Sequence, residues 1–182
     1  MKWFIASDLH GSAFYAEKML EAFDREQADR ILFLGDFLYH GPRNDLPEGY
    51  NPKKVIEMVN RRRDIFTCVR GNCEAEVDQM VLDFPVLADY TLIPLENGSS
   101  IFATHGHIYN EDNLPPLKKG DILLHGHTHV PKCVKHEDFT CLNPGSLSIP
   151  KEGSWNGYMT LCEGVFTWKD LEGNVRDELV LW

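Results

Sequence analysis

Five short polar motifs in this chain of 182 residues carry side chains that bind cations or move protons. They are Asp8-Leu9-His10-Gly11, Gly35-Asp36, Gly71-Asn72-Cys73-Glu74, His105-Gly106-His107 and His125-Gly126-His127-Thr128-His129. A mixture of imidazole and carboxylate oxygen suits Mn²⁺, Fe²⁺, Co²⁺, Ni²⁺ or Zn²⁺ better than Ca²⁺ or Mg²⁺. The seven candidate donors are Asp8, His10, Asp36, Asn72, His105, His127 and His129. They are too many for one tetrahedral ion, but they fit two ions that share a bridging carboxylate, about 3.5–4 Å apart in such sites. Taken singly, each motif also reads blandly. Asp-x-His occurs by chance, Gly-Asp and Gly-Asn are ordinary turns, and His-Gly-His suits a surface loop.

Their placement gives the motifs joint weight, because each follows an apolar segment. Trp3 to Ala6, Arg30 to Leu34 and Asp64 to Val69 read as buried strands, separated by helical patterns at Phe14 to Gln27 and Pro52 to Arg63. A polar, turn-rich loop spans Tyr39 to Asn51. Tyr90 to Leu95 and Ser100 to Thr104 flank Asn97-Gly98, a strong hairpin signal. Asp121 to Leu124 is another short buried strand, and Val130 to Lys135 is expected to pair with Phe139 to Leu142. Gly157 to Leu181 reads as two or three antiparallel strands with a turn at Glu172-Gly173-Asn174. Helix–strand alternation followed by a strand-rich half predicts an α/β fold of two packed sheets with helices outside. Loops at the carboxyl ends of strands in open α/β sheets converge on a ligand site, so five motifs spread over more than a hundred residues are expected to meet in one place.

Composition narrows the function classes. The apolar fraction is 43% and the charged fraction 25%, ordinary values for a globular protein, which exclude a disordered or disulfide-dense chain. There is no repeat or linker, so residues 1–182 are expected to form a single domain. No apolar run is long enough to span a bilayer. Twenty-eight acidic against 18 basic residues leave a net charge of −10, which disfavours a nucleic-acid polymer or an anionic membrane as partner. An odd count of five cysteines without CxxC spacing, and no secretory hydrophobic region at the N-terminus, point to free thiols in a reducing cytoplasm.

The ordered set Asp8-x-His10, Gly35-Asp36, Gly71-Asn72, His105-Gly106 and Gly126-His127-x-His129 resembles the calcineurin-like metallophosphoesterase superfamily. Ser7-Asp8-Leu9-His10-Gly11, His40-Gly41-Pro42-Arg43-Asn44, Asn72-Cys73, Thr104-His105-Gly106-His107, Gly126-His127-Thr128-His129-Val130-Pro131 and Asn143-Pro144-Gly145-Ser146 are similar to its small YfcE-type phosphodiesterase branch. The resemblance implies a four-layer αββα sandwich of two mixed β-sheets flanked by helices. It implies a first metal on Asp8, His10 and His129, a second on Asn72, His105 and His127, and Asp36 as the bridge. Two divalent ions are implied, Mn²⁺ foremost, with a hydroxide between them attacking a small phosphodiester. A homo-oligomer is compatible with the branch.

One departure matters. Most of the superfamily has His directly after the metal-binding Asn, and this chain has Cys73. Imidazolium donates a proton to a leaving oxygen, whereas a thiol is a weak donor. Asn72 and Cys73 are therefore expected at the reacting centre, with a bias to diesters that carry good leaving groups. His40 and Arg43, on the loop after Asp36, and His107 are expected on the substrate side. Arg43 suits a bidentate phosphate contact, and pins its own loop in the bland reading. Asn143-Pro144-Gly145-Ser146 is expected to shape a tight loop beneath the metals, and the acidic run Glu74 to Asp78 to be a solvated face. Rival functions are a phosphomonoesterase, a cyclic-nucleotide phosphodiesterase, and a non-catalytic scaffold like the eukaryotic retromer subunit. The intact ligand set weighs against the last. A redox sensor on Cys73 lacks a resolving partner.

Overall fold

A computed structural model describes residues 1–182. β1 (Trp3–Ala6), β2 (Arg30–Phe33) and β3 (Phe66–Cys68) run parallel, joined by α1 (Ala13–Glu26) and α2 (Pro52–Asn60). α3 (Glu76–Gln79) is a single turn. The second half supplies β4 (Tyr90–Pro94), β5 (Ser100–Thr104), β6 (Asp121–Leu124), β7 (Lys132–Lys135) and β8 (Phe139–Asn143), then β9 (Gly157–Cys162), β10 (Val165–Asp170) and β11 (Val175–Val180). One sheet has six strands in the order β11-β10-β9-β1-β2-β3, the other five in the order β4-β5-β6-β8-β7. Both are mixed: β9 joins β1 antiparallel, β4 and β7 flank the second sheet antiparallel, and β5, β6 and β8 run parallel.

The short apolar runs are continuous because both faces of each central strand are covered. In β1, Phe4 and Ala6 face α1 and α2 while Ile5 faces the second sheet; in β2, Ile31 and Phe33 face the helices and Leu32 faces the other sheet. Ile122 of β6 packs between the sheets, and Leu123 joins Phe102 and Cys141 on the outer face of the second sheet. That outer face is covered by the irregular segment 105–120, through Tyr109 and Leu117, rather than by a helix. Asn110, Asn113 and Pro115-Pro116 favour turns there and interrupt any helical run.

Boundaries follow local chemistry. α1 starts at Ser12, whose hydroxyl accepts from Tyr15 N–H, and ends at Gln27 in a left-handed conformation. α2 has Asn51 as its N-cap and Pro52 in the first turn, and stops at Asn60, three residues short of the expected Arg63. A 3₁₀ turn over Arg63–Ile65 takes the place expected for the start of β3. β7 starts at Lys132 rather than Val130, because Pro131 has no N–H to offer the ladder.

Glu26 ends α1, where an acid opposes the helix dipole. It is held by Lys2 Nζ and Lys169 Nζ, both at 2.8 Å, and by the Tyr158 hydroxyl at 2.7 Å, tying α1 to β9, to β10 and to the residue that precedes β1. Burial disfavours its charge, but the two lysines and Tyr158 outweigh burial and hold its pKa at about 2. The native state therefore favours ionised Glu26. Its contribution is complete above about pH 4.5 and is lost as pH falls towards about pH 2. Glu26→Gln is expected to lower the unfolding temperature by on the order of 5 °C at pH 7, and thermal melts should show the gap closing over that acid window. A gap independent of pH would refute the assignment.

Candidate metal centre

The loops that follow β1, β2, β3, β5 and β6 meet at one end of the two sheets. Asp8, His10, His105 and His129 are buried, Asp36 is 2% exposed, His127 is half-buried and Asn72 is exposed. Five of these seven side chains sit on left-handed backbone: φ is 58° at Asp8, 50° at His10, 60° at Asp36, 65° at His127 and 62° at His129. Non-glycine residues adopt that region rarely and at a cost, which surrounding structure must hold in place.

The holding groups are visible. Asp8 N–H donates to Gly35 O at 3.1 Å and His10 N–H to Asp36 O at 2.9 Å, lacing the β1 and β2 loops together. The Asp8 carbonyl accepts from Ser146 Oγ at 2.8 Å and Ser148 Oγ at 3.1 Å. Asn143 Nδ2 donates to Gly126 O at 2.7 Å and Asn143 Oδ1 accepts from Gly145 N–H at 2.8 Å, so the end of β8 and the segment after it support both loops from beneath. Gly126 is packed so closely that a Cβ there would run into Ser7 Oγ and lie 2.7 Å from Asp8 Oδ2.

Three imidazoles are oriented in the same way. Nδ1–H donates to a backbone carbonyl in His10 (Tyr39 O, 2.9 Å), His105 (Leu34 O, 2.6 Å) and His129 (Ile149 O, 2.6 Å). A carbonyl only accepts, so Nδ1 carries a proton and Nε2 is the atom turned inward, the orientation found around metal-binding histidines. His10 Nε2 and His129 Nε2 are 3.3 Å apart. Asp8 Oδ1 lies 3.2 Å from His129 Nε2 and 3.6 Å from His10 Nε2, and it is a buried oxygen without a hydrogen-bond partner. Ligand bonds of about 2.0–2.2 Å place donors on one tetrahedral ion roughly 3.3–3.6 Å apart. The three separations match that spacing to within about 0.1 Å.

A second cluster adjoins the first. His105 Nε2 is 3.1 Å from Asn72 Oδ1 and 3.5 Å from Asp36 Oδ2, and the His127 ring centroid is 5.0 Å from that of His105. Asp36 Oδ2 is also 3.7 Å from His10 Nε2, so one carboxylate oxygen faces both clusters. The other, Oδ1, accepts from Cys73 N–H at 2.9 Å. Burial penalises the Asp8 charge, but the facing imidazoles of His10 and His129 outweigh it and hold its carboxyl well below the usual range. Burial likewise opposes protonation of His105, yet Asp36 and Asp8 raise its pKa to about 9. His127 is lowered to about 4, by burial and then by His105. The two carboxylates thus draw positive charge inward, and the donor chemistry of both clusters fits two divalent ions.

A polar cleft of about 370 Å³ opens over these groups. Asp36, Asn72, His127 and His129 line it, and Arg43, Asn44 and Lys151 form part of its wall. Cys73 lies on the same wall, 3.3 Å from Asn72 Nδ2, and burial followed by the Asp36 charge pushes its thiol pKa up. His40 is not on this wall; its ring lies edge-on to Tyr39 and Tyr50. His107 stands behind His105, ring centroids 5.4 Å apart, with Nδ1 buried and unpartnered.

Residues 1–163 match the Calcineurin-like phosphoesterase superfamily domain. The chain belongs to that superfamily. It is 46% identical over 167 residues to Phosphodiesterase YfcE of Escherichia coli K12, covering 92% of this chain and 90% of that one. The solved structure of YfcE, described as a phosphoesterase from E. coli, superposes with a TM-score of 0.95 at 42% identity over the whole of both chains. The expected superfamily and branch both hold, and the chain is a phosphoesterase of this group. A structure of Vps29 complexed with Zn²⁺ from Entamoeba histolytica shares the fold, with a TM-score of 0.58 at 16% identity over 100% of this chain and 99% of the other.

Two residues of the site were not anticipated. Lys151 reaches the cleft from a turn whose backbone N–H donates to His129 O at 3.2 Å. Glu74, expected on a solvated acidic face, is 5% exposed. Its Oε2 accepts from Asp36 N–H at 2.9 Å and Gly71 N–H at 2.5 Å, and its Oε1 from Phe37 N–H at 2.6 Å. Burial and the nearby Asp36 charge push its carboxyl up despite these donors. The carboxylate clamps the Asp36 loop to the Asn72 loop, which no charge count could reveal. Glu74→Gln turns one acceptor into a donor facing an N–H and should cost about 2–3 kcal/mol. Thermal unfolding and metal titration should both show the loss; unchanged values in both would exclude the clamp.

Proposed function

We propose that residues 1–182 act as one catalytic domain that hydrolyses small phosphodiesters with two divalent metal ions. Asp8, His10 and His129 would hold the first, Asn72, His105 and His127 the second, and Asp36 would be shared by both. The single observation that carries this reading is the Asp36 carboxylate oxygen, 3.7 Å from His10 Nε2 and 3.5 Å from His105 Nε2. When bound, the ions would supply an acidified water as nucleophile and offset the charge that builds on the phosphoryl oxygens. The mixed nitrogen and oxygen donors, with no thiolate among them, favour Mn²⁺, with Ni²⁺, Co²⁺, Fe²⁺ and Zn²⁺ as substitutes.

The chain's own residues do the rest. Carbonyl-anchored imidazoles keep the lone pairs aimed without rearrangement during the reaction. Arg43, from the loop after Asp36, offers a planar fork to the substrate phosphate, and Lys151 offers a point charge across the cleft. His107 backs His105. His40 stiffens the Tyr39–Tyr50 loop, which gives it a positioning role. Asn72 and Cys73 stand beside the reacting phosphate. A thiol is a poor proton donor, so the site lacks the imidazolium that would help a basic alcohol leave. The favoured substrates are diesters whose leaving alcohol is acidic. Five free cysteines fit work in a reducing cytoplasm.

Metal-stripped protein should be inactive on bis-p-nitrophenyl phosphate and regain turnover when Mn²⁺ or another transition metal is added alone. Asp36→Asn should lose roughly 10³-fold in kcat/KM, since it removes the charge shared by two cations. Near-normal rate and metal content in that variant would refute the bridging assignment. No turnover with any metal, from folded protein that binds two ions, would favour the scaffold reading instead. Cys73→His should raise monoester relative to diester hydrolysis by roughly 10-fold or more. An unchanged ratio would remove Cys73 from the determinants of preference.

A further inference from the structure

Cys73 belongs to two walls at once. On one side it faces the polar cleft, where it is itself the one hydrophobic side chain apart from Pro42. On the other it opens onto a shallow apolar groove of about 410 Å³, whose lining includes Tyr39, Tyr50, Ile56, Val77 and Val81. Tyr39 is 43% exposed, Val77 60% and Val81 38%, an unusual concentration of bare apolar surface beside a strongly polar site. The groove adjoins the cleft at Cys73, the lining residue the two share, next in sequence to Asn72 and with its N–H bound to Asp36 Oδ1.

We infer that this groove receives one ester alcohol of the substrate, which makes diesters bearing a flat apolar or aromatic group the favoured class. The inference rests on the reading that the polar cleft holds the phosphate. A diester carries two alcohols on a tetrahedral phosphorus. With the phosphate over Asp36 and Asn72, one alcohol can run past the Cys73 sulfur into the groove while the other leaves through the open cleft. A monoester has only one alcohol and cannot fill both paths. The groove walls are held by the segments that hold the metal donors. Tyr39 lends its carbonyl to His10, and the Tyr50 ring lies over Gly11, where a Cβ would come within 2.6 Å of it. The His40 ring, edge-on to both tyrosines with centroids at 4.7 and 5.4 Å, props that wall from within the loop. A groove so braced is preformed, as small-molecule subsites generally are. Asp78 is its acidic lining residue, which disfavours an alcohol ending in a second anion.

Two diesters with one leaving group test this. The Mn²⁺-loaded protein should hydrolyse p-nitrophenyl phenyl phosphate with kcat/KM at least 10-fold above methyl p-nitrophenyl phosphate, the range expected of an apolar subsite. In the double variant Val77→Asn, Val81→Asn that ratio should fall by about 10-fold; both positions are exposed, so folding is preserved. Equal values for the two diesters, or a ratio unmoved by the substitutions, would overturn the inference. If neither diester turns over, the proposed reaction fails, and the groove is decided separately by methyl NMR of the Zn²⁺-loaded protein. Resonances of Val77 and Val81 should shift with diphenyl phosphate and stay put with dimethyl phosphate. No shift with diphenyl phosphate would sink the groove assignment.

Discussion

Two buried carboxylates at the junction of the sheets, Asp8 and Asp36, govern the rest of this structure. Neither charge is tolerable in an apolar interior by itself. Each is met by imidazoles from the opposite sheet, His105 and His129, and by backbone N–H groups of Cys73 and His127. The imidazoles are in turn fixed by carbonyls of residues on neighbouring loops. Removing any one layer leaves the layer inside it without compensation.

Backbone conformation is recruited to the same end. Tight loops at the ends of short strands allow five donor side chains to converge, and the left-handed φ values are the cost of that convergence. Glu74 and Asn143 meet the cost by hydrogen-bonding the loops themselves rather than the donors. The apolar layers on either side of β1 and β2 provide the rigid floor. Trp168 extends it by donating its indole N–H to Asn143 O at 2.7 Å, so the closing strands also bear on the site.

Much of this was legible in the sequence, and the reasons are physical. Period and composition disclosed the central strands, because a strand covered on both faces has to be apolar throughout. The donor motifs were legible because Asp, His and Asn beside glycine at strand ends have few other uses in combination. Glu74 was illegible because a carboxylate that accepts three backbone N–H bonds has the same letter as one in water. Lys151 escaped because the turn that carries it is brought beneath His129 only by tertiary packing. The groove beside Cys73 depends on Tyr39, Tyr50 and Val77, which are distant in sequence and acquire meaning only when the loop and the turn after β3 fold against each other.

The sheet order also has a consequence for synthesis. β1 lies between β2 and β9, so until Gly157–Cys162 has left the ribosome it remains an unpaired edge. The donors of the first cluster are likewise incomplete until His129 has emerged. A nascent chain holding Asp8, His10 and Asp36 therefore carries unneutralised acids on an unfinished sheet. The cluster of donors is therefore complete before the sheet that supports it, and both await the second half of the chain.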